Sequence, residues 1–171
     1  MKLTDLLPLE KWVELEREIV EKSGLSASVF DTDGIRITDH KTWSNRLCPE
    51  IKANPKGQTF ICAAAHQNIS TMAKNSRQAV IEECDAGLVK IVVPIFVGDR
   101  FLGGAGGCGL VGEAGEVETF LINQVTGIDD AALEALSEGI DVIKDNDAAA
   151  VAELIKKKID GIVADFENRH P

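Results

Sequence analysis

Residues 83–111 read ECDAGLVKIVVPIFVGDRFLGGAGGCGLV, an apolar run, a turn and a glycine cluster with a cysteine near either end. LVKIVVPIFV is rich in β-branched side chains and predicts a strand. Gly98-Asp99 predicts a turn, and RFLGGAGGCGLV a second strand returning beside the first. Pro94 has no N–H to give a ladder, so it predicts an edge position, a bulge or a strand end. The five glycines Gly103, Gly104, Gly106, Gly107 and Gly109 cost conformational entropy inside a strand, a cost that makes sense where another backbone or a ligand comes close. They form neither GxGxxG at a strand-to-helix junction nor GxxxxGKS/T, so nucleotide binding by those loops has no support.

Outward from this hairpin the pattern changes several times. LLPLEKWVELEREIVEKSG sets Leu9, Trp12, Val13, Ile19 and Val20 against a face of Glu10, Lys11, Glu14, Glu18 and Lys22. That spacing predicts an amphipathic helix over about residues 8–22, with Pro8 in its first turn and Ser23-Gly24 as its stop. In LSASVFDTDGIRIT, alternation on either side of Asp33-Gly34 predicts a tight hairpin. Residues 39–57 lose periodicity and read as a long loop with at most a short helix, the kind of segment that often lines a site. Helical spacing returns from Gln58 to Arg77, with Cys62 and His66 four apart on one face. Further helices are expected over 116–125, after Asp129-Asp130, and over roughly 148–167, whose apolar stripe suits either a core or a second chain. Together these segments predict an α+β chain, a mainly antiparallel sheet with flanking helices.

A chain of 171 residues can bury a substantial core without cross-links. Its net charge of −10 disfavours nucleic acid and anionic lipid as partners. No apolar run reaches the roughly 18 residues that span a bilayer, and the first residues show no signal-peptide pattern, so a cytoplasmic location is expected.

The four cysteines, Cys48, Cys62, Cys84 and Cys108, form no CxxC, so the compact zinc-ribbon, ferredoxin and thioredoxin patterns are absent. Three readings stay open for them: buried apolar thiols, a redox pair, or soft ligands for zinc or an iron–sulfur cluster, with His66 as a nitrogen ligand. A thiol-dependent enzyme would draw on Cys84 and His66, although no GxSxG, HExxH or similar motif accompanies them. His40, Trp43 and Arg46 make a polar and aromatic rim suited to a small ligand, and Arg46 favours an anionic one. Asp85 follows Cys84 where the chain enters the apolar strand and borders the same region.

The chain resembles the PocR ligand-binding domain family, sensory domains related in fold to the PAS and GAF group. The resemblance rests on EKSGLSASVFDTDG after the first helix, on Cys48, on Cys62 at the start of the central helix, on Cys84-Asp85-Ala86-Gly87-Leu88, and on Val93-Pro94-Ile95 with Gly98. A glycine-containing strand over Phe101–Leu110 follows, and the similarity spans about residues 3–126. Asp85 stands where that family often has histidine, and Cys108-Gly109 near a position often written Gly-Gln.

The resemblance implies one PAS/GAF-like sensory domain over 1–171, with 128–171 as a helical extension. It implies a pocket between the sheet and the helices on one face, which takes a small molecule or cofactor. The type member of the family is associated with control of propanediol use. Cys48, Cys62 and Cys84, with Cys108 as a fourth, are then the candidate metal or ligand-binding thiols; Trp43, Arg46, His66 and Asp85 are the candidate ligand-binding side chains. With no basic helix-turn-helix and no kinase signature, a signal would leave through the terminal helices to a homodimer partner or a signalling protein.

Overall fold

The computed structural model describes residues 1–170. Its sheet has strands β1 (Ser26–Phe30), β2 (Val80–Glu83), β3 (Leu88–Val97), β4 (Arg100–Gly112) and β5 (Val142–Ile143). The order β1-β4-β3-β2 is antiparallel throughout, and β5 adds a short parallel pairing at the end of β4. The β3–β4 hairpin predicted around Gly98-Asp99 is the centre of the sheet. The helices are α1 (Leu3–Leu6), α2 (Leu9–Ser23), α3 (Leu47–Ala53), α4 (Pro55–Gly57), α5 (Ala64–Ser76), α6 (Thr119–Thr126), α7 (Asp130–Ser137) and α8 (Asp145–Arg169). A π-helical segment, Gln58–Ala63, leads into α5.

Strand alternation sorts the sheet into two faces. Val89, Ile91, Val93 and Ile95 of β3, Ala27 and Val29 of β1, and Ala105 of β4 pack on Trp12, Leu15 and Ile19 of α2 and on Val151, Ile155 and Ile159 of α8. The apolar stripe of α8 therefore belongs to the core. The opposite face presents Leu88, Lys90 and Val92 of β3 and Ser26, Ser28 and Phe30 of β1 toward α3, the π segment and α5.

The glycines of β4 answer the first question the sequence raises. A Cβ at Gly103 would overlap the carbonyl oxygen of Phe30, and one at Gly106 the carbonyl oxygen of Ile91, so it is neighbouring strand backbone that comes close. Pro94 sits beyond the reach of β2, which pairs only with Val89–Val92, and a bulge follows it between Ile95 and Phe96. The missing N–H therefore falls where the ladder is incomplete.

Two expectations need correction. The turn at Asp33-Gly34 forms, with Gly34 at φ +76° and Asp31 Oδ1 accepting from the backbone N–H groups of Asp33 and Ile35, each at 2.9 Å. Its second arm makes only the Phe30–Arg36 bridge on one edge of β1, while the other edge pairs along its whole length with β4. The next donor on that edge, the Val29 N–H, goes to Glu16 of α2, which is 0% exposed, at 3.0 Å. Its Oε1 takes Arg36 Nη2 at 3.2 Å and the Thr38 hydroxyl at 2.7 Å. The segment 39–57 is also more ordered than a loop, because Leu47 and Ile51, one helical turn apart, bury a face of α3. Among the described residues no helix is long and apolar enough to cross a membrane.

Two glycine substitutions test this packing by chemical denaturation. Gly106→Ala is expected to lose roughly 2 kcal/mol or more by overpacking against the β3 backbone. Gly161→Ala, in α8 with nothing near its added carbon, is expected to gain about 0.5–1 kcal/mol. Equal effects at the two positions would contradict the assignment.

Candidate functional site

The face of the sheet turned away from α2 and α8 is only partly covered, because parts of β1 and β4 present small residues there. β1 supplies Ser26 and Ser28, and β4 supplies Gly104 and Gly109, leaving a cavity of about 630 Å³ under α3, the π segment and α5. Phe30, Lys90 and Cys108 belong to its floor, and Ile51, Ile61, Cys62, His66 and Ser70 to its roof. Exposed Lys41, Trp43, Lys52 and Lys74 border it. The π segment contributes Gln58, Ile61, Cys62 and Ala63; a wide helical turn of this kind is frequent at functional sites. Its approach is fixed by Asn54, whose Oδ1 accepts from the N–H of Lys56 at 3.1 Å and of Gly57 at 3.0 Å.

Of the residues singled out by sequence, Trp43, His66 and all four cysteines line this cavity. His40, Arg46 and Asp85 do not. The Arg46 guanidinium donates to the Ala135 carbonyl of α7 at 2.9 Å, and Asp85 is exposed in the tight turn where Gly87 N–H bonds the Cys84 carbonyl at 2.9 Å.

The segment before α3 is stitched to β4 beside two of the thiols. Asn45 Nδ2 lies 3.3 Å from Cys48 Sγ and donates to the Gly109 carbonyl at 2.6 Å, while Ser44 Oγ donates to the Cys108 carbonyl at 3.2 Å. Burial pushes the Cys48 thiol up to about 12 and the Cys62 thiol up to about 11, and it raises Cys84 as well. These three are neutral thiols at pH 7, not thiolates. Among the described residues no group of three or more His, Cys, Asp or Glu side chains is placed to hold a metal ion. The four thiols share a cavity wall without being gathered into such a group. His66 bonds Ser70, with Nε2 3.3 Å from its Oγ, and not Cys84.

His66 is also held neutral, its pKa pushed down to about 4 by burial first and then by the charges of Lys90 and Lys52. Its ring lies against Phe30 with centroids 3.9 Å apart. Among the described residues four buried side-chain polar atoms lack a hydrogen-bond partner, and three of these, Thr42 Oγ1, Gln58 Oε1 and His66 Nδ1, belong to residues lining the cavity. Native proteins leave few such groups without reason.

Lys90 is the residue sequence reasoning passed over. It is 8% exposed, its Nζ sits 5.7 Å from the Phe30 ring centroid, and it takes part in none of the ion pairs among the described residues. The signal was present: a lysine interrupts an apolar strand at a position that faces the same way as Leu88 and Val92.

The His66 shift carries a sign. Between about pH 6.5 and 4 the unfolded chain holds a proton on this ring that the folded chain does not, so stability is full above that window and is lost as pH falls through it. Urea denaturation across this range is expected to show that loss in the wild type and a smaller one in His66→Gln; identical profiles would contradict the assignment. Cys48, Cys62 and Cys84, followed by peptide mapping, are also expected to react with iodoacetamide at least about tenfold more slowly in native protein at neutral pH than in urea-unfolded protein, since little thiolate is present there.

Comparison with protein families finds a match over residues 5–165 to the sensory domain found in PocR. Neither curated proteins nor solved structures give a match. The matched span contains the whole sheet, α2 and every wall of the cavity, and the chain belongs to the PocR sensory domain family.

Proposed function

We propose that this domain senses a small organic molecule bound in the cavity between the sheet and α3–α5, and passes the change outward through α2 and α8. The observation that carries this reading is the set of buried polar atoms the protein leaves without partners, three of four of them in residues lining one cavity. At about 630 Å³ the space falls in the range of roughly 300–1,000 Å³ typical of small-molecule sites. Membership of a sensory family agrees with a binding role.

The way out runs through Arg36. This side chain lines the cavity, and its Nη2 reaches Glu16 of α2, the Ala27 carbonyl of β1 at 2.9 Å and the His40 carbonyl. On the outer side α2 meets α8, with Lys158 Nζ 3.0 Å from Glu18 Oε2. A second copy of the chain or a signalling protein docked on these helices would receive the change. Zinc or an iron–sulfur cluster held by the thiols is the second reading, favoured only by the cavity wall that the four cysteines share.

Thermal denaturation over a panel of small metabolites tests the first reading. A molecule present at a hundred times its Kd stabilises by about 2.7 kcal/mol, or roughly 5–10 °C for a chain of this size. The shift is expected to vanish in Ser28→Phe and in Ser70→Leu, which fill the cavity, and to persist in Cys48→Ser and Cys84→Ser. Metal at one equivalent per chain after anaerobic purification, lost in those two cysteine variants, would favour the second reading. A shift untouched by both filling variants would contradict the first.

A further inference from the structure

We infer that the molecule taken by this cavity is an organic anion, a carboxylate on an apolar body, whose charged end is held by Lys90 and His66 and whose body lies against the thiol wall. The inference rests on the sensing reading above and adds the charge and the polarity of the ligand.

The chain as a whole is strongly acidic, at −10, yet the cavity is not. Arg36, Lys41, Lys52, Lys74 and Lys90 line it against Asp31 and Asp33 alone. Arg36 is already matched by Glu16, and Asp31 is occupied by the backbone N–H groups of its own turn. Three of the remaining cations, Lys41, Lys52 and Lys74, are exposed at the border and raise the local concentration of anions near the opening. Lys90 is different because it is buried in the floor and no carboxylate of the protein pairs with it among the described residues. Its stem is buried while its Nζ is not among the buried atoms without a partner, so the ammonium opens on the cavity, where a ligand carboxylate supplies the counter-charge the chain does not.

His66 completes the charged end. Lys90 Nζ stands over one ring, Phe30, and His66 packs on that same ring, so both polar groups gather around Phe30. In the tautomer whose Nε2 accepts from the Ser70 hydroxyl, Nδ1–H has no partner among the described residues; the atom is buried, and a turn of the ring is what would bring it to a ligand. An ammonium and a neutral imidazole N–H together accept nothing from a ligand and donate to an anion.

The wall beside these groups is of another character, with Cys108 directly across the ladder from Lys90. Cys48, Cys62, Cys84 and Cys108 with Ile51 and Ile61 form it, and the thiols that burial keeps protonated are weakly polar, soft surfaces. Phosphate or sulfate alone would satisfy Lys90 but leave this wall without contact. A cation set beside an apolar, thiol-lined wall therefore selects an amphipathic acid.

Isothermal titration calorimetry with matched pairs tests this on the full chain: benzoate against benzamide, hexanoate against hexanamide, and inorganic phosphate as an anion with no apolar body. At least one carboxylate is expected to bind about tenfold or more tightly than its amide. That preference is expected to disappear in Lys90→Met and in Lys90→Gln while amide affinity stays within about threefold, and to survive in Lys74→Met at the border. Circular dichroism and the melting temperature establish that each variant is folded. A preference for the amides, a carboxylate preference that survives both Lys90 variants, or phosphate binding as tightly as the acids would overturn the inference. So would silence from every carboxylate up to millimolar concentration. Should neutral molecules bind under those conditions and lose binding in Ser28→Phe, the sensing reading stands and only the anionic assignment falls.

Discussion

The close approach of three strands along β4 is the constraint on which the rest of this molecule depends. β4 pairs with β1 on one side and β3 on the other, and at Gly103 and Gly106 there is no room for a Cβ against the neighbouring carbonyls. Removing those side chains has a second effect. On the face turned to α5 the strand offers little bulk, and the serines of β1 beside it offer little more, so the helices above cannot close onto the sheet. The glycine run of β4 thus does both: Gly103 and Gly106 allow the pairing, and Gly104 and Gly109 leave the cavity. The opposite face, with Ala105 among Val, Ile and Leu side chains, packs solidly on α2 and α8.

Glu16 ties these two sides together. A buried carboxylate is tolerated only when its oxygens are fully engaged. Here Oε1 accepts from Val29 N–H at 3.0 Å, Thr38 at 2.7 Å and Arg36 at 3.2 Å, and Oε2 accepts from Thr38 at 2.8 Å. One group thereby fixes α2, the middle of β1 and the arm that carries Arg36 into the cavity wall. A rearrangement of that wall cannot leave α2 undisturbed without breaking hydrogen bonds in a dry site, which gives binding a short mechanical route to the outer helices.

What could be read in the sequence was local. The β3–β4 hairpin was legible because β-branched residues and Gly98-Asp99 act within a few positions, and α2 and α8 because their apolar stripes repeat over several turns. The pairing of β1 with β4 was not, because the partners lie about 75 positions apart, nor was the short reach of its own hairpin arm, which ends where Glu16 takes the Val29 N–H. Nor was α3, whose seven residues are too few for a clear period, or the π segment, which no residue type announces. For the site, the cysteines and His66 stood out by type, but whether a thiol is a ligand or a neutral wall depends on its burial and on the spacing between elements. Arg46 stood out by charge and proves to serve α7. Lys90 was visible as an anomaly, a lysine inside an apolar strand, and it became meaningful only once the strand's faces were known.

The central claim is that a small molecule in this cavity is felt by α2 through Arg36 and Glu16. The most direct measurement is a two-dimensional ¹H–¹⁵N spectrum of the protein titrated with the molecule that gives the largest thermal shift. The account predicts coupled changes at cavity-facing positions such as Phe30, Lys90 and Gly104, at the Arg36 side chain, and at the Val29 amide, which faces α2 and donates to Glu16. Changes confined to the outer surface, or to cavity positions with Val29 and α2 unmoved, would contradict it.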